Sequence, residues 1–165
     1  MRKVDYFFND YASDFDSIYG NENSFLNNII NSLFRKSMRL RFEKSLEVCQ
    51  PVEGRTVLDI GCGPGHYCLA FARSGAKKVI GIDFSEDMIE IAKKHAVSSG
   101  VIEQCEFIIK DFLDYNPANK FDFTIVMGVM DYIEHAETFI KKVAGLTQKK
   151  SCFSFPVDGG FLSWQ

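Results

Sequence analysis

The sequence predicts an α/β fold in which one mostly parallel sheet is covered by helices on both faces. From about residue 55 onwards, short apolar runs typical of buried strands alternate with longer segments of helical periodicity. The stretch VLDIGCGPGHY begins with the end of the first apolar run and continues into a glycine-rich segment. Asp83 ends the second apolar run. Strands that alternate with helices favour a parallel sheet, because each crossover helix packs back onto the sheet.

Length and composition describe an ordinary globular domain without a strong charge. The chain has 165 residues, of which 46% are hydrophobic and 25% charged, and its formal net charge is -3. That charge gives no general attraction to nucleic acid or to an anionic membrane. No apolar run approaches the ~20 residues of a membrane span, and the N-terminus is too polar for a signal peptide. We therefore expect a cytoplasmic protein without nucleic-acid or membrane partners.

The cysteines indicate reduced structural thiols. They are odd in number, scattered and without a C-x-x-C pair, which disfavours disulfides and zinc ligands. They are Cys49, Cys62, Cys68, Cys105 and Cys152.

The first 50 residues predict a helical segment separate from the sheet. Its first part is aromatic and acidic, and apolar residues recur at helical spacing from Asn23 to Cys49. Pro51 and Gly54 end this region, so we divide the chain into segments 1–50 and 51–165. The basic run FRKSMRLRFEK is either a solvated helix face or the source of an arginine for a carboxylate ligand.

The sheet begins after Gly54. TVLDI predicts the first strand, GHYCLAFARSG predicts a helix with Gly75 at its C-terminal cap, and KVIGID predicts the second strand. Ser85 caps the next helix, EDMIEIAKKHAVSSG, whose acidic first turn suits the helix dipole.

The remaining elements continue the alternation. CEFII and FDFTIVMG predict the third and fourth strands, HAETFIKKVAGL predicts a helix, and SCFSF predicts the fifth strand.

Gly61, Gly63 and Gly65 form a loop that can admit a ligand. Glycine adopts positive φ and lets backbone N–H groups approach a ligand, while the next helix presents its positive end. A carboxylate or phosphate suits such a loop. The alternative is that these glycines only make a tight turn between strand and helix.

Acidic residues near the loop favour ligand binding. Asp83 lies about 20 residues after the loop, where a carboxylate can accept hydrogen bonds from both hydroxyls of a ribose. Asp59 directly precedes the loop and could attract a cationic amine. Asp111 and Phe112 follow the third strand and could frame an adenine.

Two other nucleotide-binding loops are disfavoured. The dinucleotide fingerprint G-x-G-x-x-G has a glycine where this chain has His66, so a nicotinamide oxidoreductase is the weaker alternative. A Walker loop is absent, because no Gly-Lys-Ser/Thr follows the glycines.

Four blocks carry a family resemblance: VLDIGCGPGHY, VIGIDFSEDMIEIAKKH, IIKDFLDY and FDFTIVMGVMDYIEH. In order and spacing they resemble the class I S-adenosylmethionine-dependent methyltransferases. The resemblance implies a Rossmann-like fold with an N-terminal helical lid. It also implies transfer of a methyl group from S-adenosylmethionine to an O, N or C nucleophile of a small molecule.

The resemblance assigns residues to the cofactor. The glycine loop would hold the methionine part with Asp59 near its amine, Asp83 would bind the ribose, and Tyr11 and Tyr19 would belong to the lid. The residues assigned to the cofactor are Asp59, Gly61, Cys62, Gly63, Gly65, Asp83, Phe84, Met88, Asp111, Phe112, Met127, Tyr11 and Tyr19.

The transfer can proceed by alignment of the nucleophile alone, so a catalytic residue need not exist. If a base is used, we expect it after the fourth strand among Asp131, Tyr132 and His135. The alternative for His135 is a cap or surface residue, and for the other two it is packing. His66 is expected at a helix start and His95 in solvent.

The fourth block narrows the substrate. The chain has MGVM where methyltransferases of adenine or amide nitrogens carry Asn/Asp-Pro-Pro-Tyr, which disfavours those acceptors. Some quinone-pathway enzymes of this family place Glu, Glu and His where this chain has Gly128, Asp131 and Tyr132, so no metal site is predicted.

The family has seven strands, whereas the sequence predicts five. Strands 6 and 7 are therefore expected to be missing, which leaves the fifth strand as an exposed edge that could self-associate. A cofactor-binding module without catalysis, or a partner subunit, stays the alternative function.

Overall fold

The computed structural model describes residues 39–155. The chain divides into two units, Met1–Lys44 and Ser45–Gln165, and the sheet lies in the second. The predicted division after residue 50 stays a prediction. Tyr11, Tyr19 and Arg35 lie outside the described residues.

The elements alternate as predicted along the described chain. Short 3₁₀ turns occur at Ile102–Gln104, Phe112–Asp114 and Met130–Tyr132. The helices and strands are α1 (39–48), β1 (Thr56–Ile60), α2 (His66–Arg73), β2 (Lys78–Asp83), α3 (Glu86–Ser98), β3 (Cys105–Ile109), β4 (Phe121–Val126), α4 (Ala136–Leu146) and β5 (Thr147–Phe153).

The strands form one sheet in the order β3-β2-β1-β4-β5, and every neighbouring pair is parallel. This arrangement confirms the predicted Rossmann-like, parallel sheet. The chain order reverses between β1 and β4, and ligands of such sheets bind at this reversal, beyond the carboxyl ends of the strands.

Both faces of the sheet are apolar because both are covered. Alternate strand residues, such as Val57, Val79 and Ile125, pack against α2 and α3 in one cluster. The residues between them, such as Leu58 and Ile82, pack in a second cluster that contains side chains of α4. Burial on both sides explains why these strands are continuous apolar runs.

The fifth strand begins earlier than its apolar pattern predicts. It starts at Thr147, directly after α4, whereas SCFSF begins at Ser151. The Thr147 hydroxyl donates to the carbonyl oxygen of Val143 at 2.7 Å and lies 2.7 Å from the Thr124 hydroxyl, which joins helix and strand without a loop. Its first residues are polar because β5 is an edge strand of the described sheet.

Two further features are the state of the cysteines and the character of the helices. All five cysteines are free, and four of them are buried. Across the described residues, no helix combines the length and the apolar character that crossing a membrane requires.

The neighbours of Gly81 in β2 leave no room for a side chain at this position. A Cβ there would lie 2.9 Å from the Sγ atoms of both Cys62 and Cys68. Gly81→Ala is therefore expected to lower the free energy of unfolding by about 1–3 kcal/mol through overpacking. Gly145→Ala in α4 is the matched control: its Cβ would meet no atom within 4 Å, so it should stabilise by up to about 1 kcal/mol. Equal effects of the two substitutions in chemical denaturation would contradict this packing.

Candidate functional site

The glycine loop lies where the strand order reverses. Gly61, Gly63 and Gly65 follow β1 with φ of 69°, 50° and 84°, values that favour glycine. A Cβ on Gly61 would collide with the side chain of Val129, which follows β4. The loops after β1 and β4 therefore meet, and this contact closes the space between the two strand ends.

Asp83 joins the glycine loop to the end of β2. Its Oδ2 atom accepts a hydrogen bond from Gly63 N at 2.8 Å, and its Oδ1 atom accepts one from Ser85 N at 2.9 Å. A carboxylate offers about four lone-pair sites, so about two are left for hydroxyl groups of a ligand. Asp83 is thus both a structural tie and a potential ligand acceptor.

The loop amides are engaged within the protein. Gly61 N and Cys62 N donate to the carbonyl oxygen of Ile82 at 2.8 and 3.0 Å, and Gly65 N donates to that of Cys62 at 3.0 Å. With Gly63 N on Asp83, four loop amides have internal partners, so the expectation that the loop amides face a ligand was wrong for these four. The glycines instead provide space: a Cβ on Gly63 would meet no atom within 4 Å.

Asp59 is buried beneath the loop, with 1% of its surface exposed. The Cys68 thiol donates to Asp59 Oδ2 at 3.3 Å. Burial raises the pKa of Asp59 to about 7; the Cys68 hydrogen bond opposes this increase, and the nearby charge of Asp83 adds to it. A cationic group beside Asp59 would favour the ionised carboxylate, so the site suits a ligand with a positive charge here.

His66 and His95 form a stacked pair next to the loop, with ring centroids 5.8 Å apart. Burial, and then the neighbouring His95, lower the pKa of His66 to about 3. His66 is therefore neutral at ordinary pH and begins α2 as predicted. His95 was predicted to face solvent, which is wrong: its Nδ1 atom lies 3.0 Å from the carbonyl oxygen of Pro64, because this side of α3 faces the loop.

The loops after β2 and β3 and the first turn of α3 contain further residues assigned to the cofactor, among them Asp111 and Phe112 at the adenine. Phe84 is 85% exposed, whereas the Phe112 ring is buried against Phe139 at 5.0 Å between centroids. The exposed Asp111 accepts a hydrogen bond from Leu113 N at 2.7 Å and so shapes the turn after β3. Met88 lies half-buried in the first turn of α3. The packing of Phe112 leaves its backbone as the part that could contact a ligand.

The loop after β4 carries the three candidate bases, all exposed. Asp131 and Tyr132 lie in a 3₁₀ turn, and His135 is the N-cap residue of α4 without a side-chain capping bond. Met127 precedes them and is half-buried. The three share one loop at the carboxyl edge of the sheet.

Two residues that sequence reasoning missed shape the same edge. Val129 contacts the glycine loop, and the Ser154 hydroxyl accepts a hydrogen bond from Gly128 N at 2.7 Å. Their position directly after β4 and β5 was the available signal. From residue 39 to residue 155, no group of three or more His, Cys, Asp or Glu side chains could hold a metal ion.

Comparisons with known proteins agree with this geometry. Residues 51–155 match a family model described as a methyltransferase domain. The ubiquinone biosynthesis O-methyltransferase of Mesorhizobium japonicum is 35% identical over 111 residues, which cover 67% of this chain and 44% of that protein. The chain therefore spans less than half the length of this relative.

Solved structures give the same result. The magnesium protoporphyrin IX methyltransferase of Synechocystis PCC 6803, solved with bound S-adenosylhomocysteine (SAH), is 26% identical to this chain. Its TM-score is 0.64, and the match covers 92% of this chain and 69% of that one. A putative S-adenosylmethionine-dependent methyltransferase from Listeria monocytogenes is 29% identical, with a TM-score of 0.58 over 69% and 54% of the two chains.

The raised pKa of Asp59 predicts that burial of this carboxyl lowers the free energy of unfolding as the pH rises. The pKa of about 7 in the folded protein lies above the ordinary value of 3.8, so the contribution of this carboxyl to stability is fully present below pH 3.8 and is lost as pH rises towards 7. Asp59→Asn cannot ionise and escapes this loss. The difference in free energy of unfolding between Asp59→Asn and the wild type should therefore grow in favour of the variant from pH 4 to 7. Urea denaturation at several pH values measures it; a constant difference would contradict the prediction.

Proposed function

The chain belongs to the class I S-adenosylmethionine-dependent methyltransferases, through the methyltransferase-domain family whose model matches residues 51–155, and on this premise we propose that it methylates a small molecule. S-adenosylmethionine supplies a methyl group on a positively charged sulfur, which makes that methyl electrophilic. The chain's own residues then have to bind, align and exclude water.

The observation that carries the proposal is the link between Asp83 and the glycine loop. One carboxylate fixes Gly63 at 2.8 Å and still has lone pairs for hydroxyl groups. The open space above Gly63 lies beside it. A ribose whose hydroxyls meet Asp83 would place the rest of the ligand over the glycines, so the residues present fit the cofactor.

Asp59 would stabilise the amine of the cofactor. The carboxyl is buried, with the Cys68 thiol as a hydrogen-bond donor. A positive amine nearby would favour its ionised form at low local dielectric, where charges interact strongly. Phe84, Met88, Asp111 and Phe112 would form the adenine side, and Met127 would lie near the transferred methyl.

Alignment of the acceptor would supply much of the rate. Fixing a nucleophile in line with the methyl group can contribute up to ~7–11 kcal/mol without an acid or a base. If a proton must leave the acceptor, Asp131, Tyr132 and His135 are the candidates, because all three lie after β4.

We favour an oxygen acceptor, because the Mesorhizobium relative is named as an O-methyltransferase. The acceptor itself is proposed only as a small molecule. Two further expectations stay proposals: a cytoplasmic location, and self-association through the edge of β5.

A second candidate is a cofactor-binding module without catalysis of its own. The exposure of Asp131, Tyr132 and His135 favours it, since water competes for nucleophile and base at an exposed site. Calorimetry with S-adenosylmethionine and SAH tests both candidates in their shared step. Binding followed by transfer of a labelled methyl group to hydroxyl acceptors supports the enzyme, and binding without transfer supports the module. Absence of binding would contradict both.

Asp83→Ala is predicted to weaken cofactor binding by about 100-fold or more, because the hydrogen bonds from two ribose hydroxyls are lost. Each hydrogen bond to a charged group contributes about 1.5–3 kcal/mol, and about 1.4 kcal/mol corresponds to tenfold in affinity. The matched control is Asp87→Ala, which removes an exposed carboxylate in the first turn of α3. Calorimetric titration with SAH measures both variants, and equal affinities would refute the role of Asp83.

A further inference from the structure

We propose that His95 is a positioning residue for the cofactor loop: its Nδ1–H group donates to the carbonyl oxygen of Pro64 and holds the Gly63–Gly65 turn in its binding shape. This inference rests on the proposed function, because it assigns the turn a ligand. It concerns a residue that touches the turn and acts through it.

The geometry identifies the donor. His95 Nδ1 lies 3.0 Å from the Pro64 oxygen, an ordinary hydrogen-bond distance. A carbonyl oxygen can only accept, so Nδ1 carries the proton in this contact.

The contact ties the turn to a second element, α3, in addition to β2. On the β2 side, the Ile82 carbonyl and the Asp83 carboxylate hold the loop through its amides. Pro64 has no N–H group, so its carbonyl is its backbone hydrogen-bonding atom. The bond from His95 therefore ties the turn to α3 at the residue that lacks an amide.

The turn lies directly against α3. A Cβ on Gly65 would approach the Ala92 Cβ to 2.9 Å, and Ala92 and His95 are three residues apart on one helix face. The His66 ring stacks on His95 with planes at 29° and centroids 5.8 Å apart. Burial lowers the pKa of His66, so a neutral ring packs against His95 and restricts its orientation.

Loss of the hydrogen bond from His95 to Pro64 should weaken ligand binding, because the turn would then be less ordered before the ligand binds. Gly63 and Gly65 have positive φ, and glycine loses more conformational freedom on ordering than other residues. A turn that is already held spends less binding free energy on being ordered. Removing the donor should therefore weaken ligand binding although His95 does not touch the ligand.

The experiment compares His95→Leu, His95→Asn and Lys94→Leu in the full chain by calorimetry with SAH. Asparagine keeps an N–H donor bonded to Cγ, as Nδ1 is in histidine, whereas leucine has none. Lys94 is exposed on the same helix and receives the same new side chain. We expect about tenfold weaker binding for His95→Leu, recovery to within about threefold for His95→Asn, and wild-type affinity for Lys94→Leu.

A second measurement separates positioning from general destabilisation. Amide hydrogen exchange of Gly63 and Gly65 in the ligand-free protein should speed up in His95→Leu and stay slow in His95→Asn. Val143→Ala, a buried change in α4 that belongs to the other core cluster, should lower stability without changing exchange at these two amides or affinity for SAH.

The outcomes are distinct. Absence of SAH binding by the wild type would overturn the proposed function and the ligand role of His95 with it. Wild-type binding that His95→Leu retains in full would overturn this inference alone. Equal loss in His95→Leu and His95→Asn would also overturn it, because the ring and not the hydrogen bond would then matter.

Discussion

The rest of the site depends on the hydrogen bond between the Asp83 carboxylate and Gly63 N. It connects the ends of two adjacent strands, and its 2.8 Å length is that of a charge-assisted bond. The same carboxylate fixes Ser85, which caps α3. One side chain thus fixes the position of the glycine turn relative to β2. It also fixes the start of α3, the helix against which that turn packs. The acid at the end of β2 therefore has a structural role in addition to its proposed ligand role.

The sequence predicted most of the fold because burial on both faces makes strands visible as apolar runs. TVLDI, KVIGID and CEFII match β1, β2 and β3 in both bounds. The start of β5 could not be predicted in this way, because its polar residues lie at an edge and follow α4 without a loop. The hydrophobic pattern of a strand arises from the burial of its side chains, and an exposed edge strand buries few of them.

The candidate site was predictable in position but not in its internal hydrogen bonds. The acids and glycines stand at strand ends, and the topology brings those ends to one edge. The sequence could not reveal that four loop amides find partners inside the protein, nor that His95 faces Pro64. Both depend on the distance between elements far apart in the chain, which local patterns do not contain. The burial of Phe112 against Phe139 has the same origin.

The two halves of the site differ in how firmly they are held. On the β1–β3 side, the turn is bonded to Ile82, Asp83 and His95, and Asp59 is buried beneath it. On the β4–β5 side, Tyr132 is 85% exposed, and the Gly128 amide is tied to the Ser154 hydroxyl in the loop after β5. A pre-formed half suits a ligand that is the same in every reaction, because preorganisation lowers the cost of binding it. The exposed half suits the component that differs between related enzymes. This division agrees with the proposal that the constant methyl donor lies over the glycines and the specific acceptor lies beside β4 and β5.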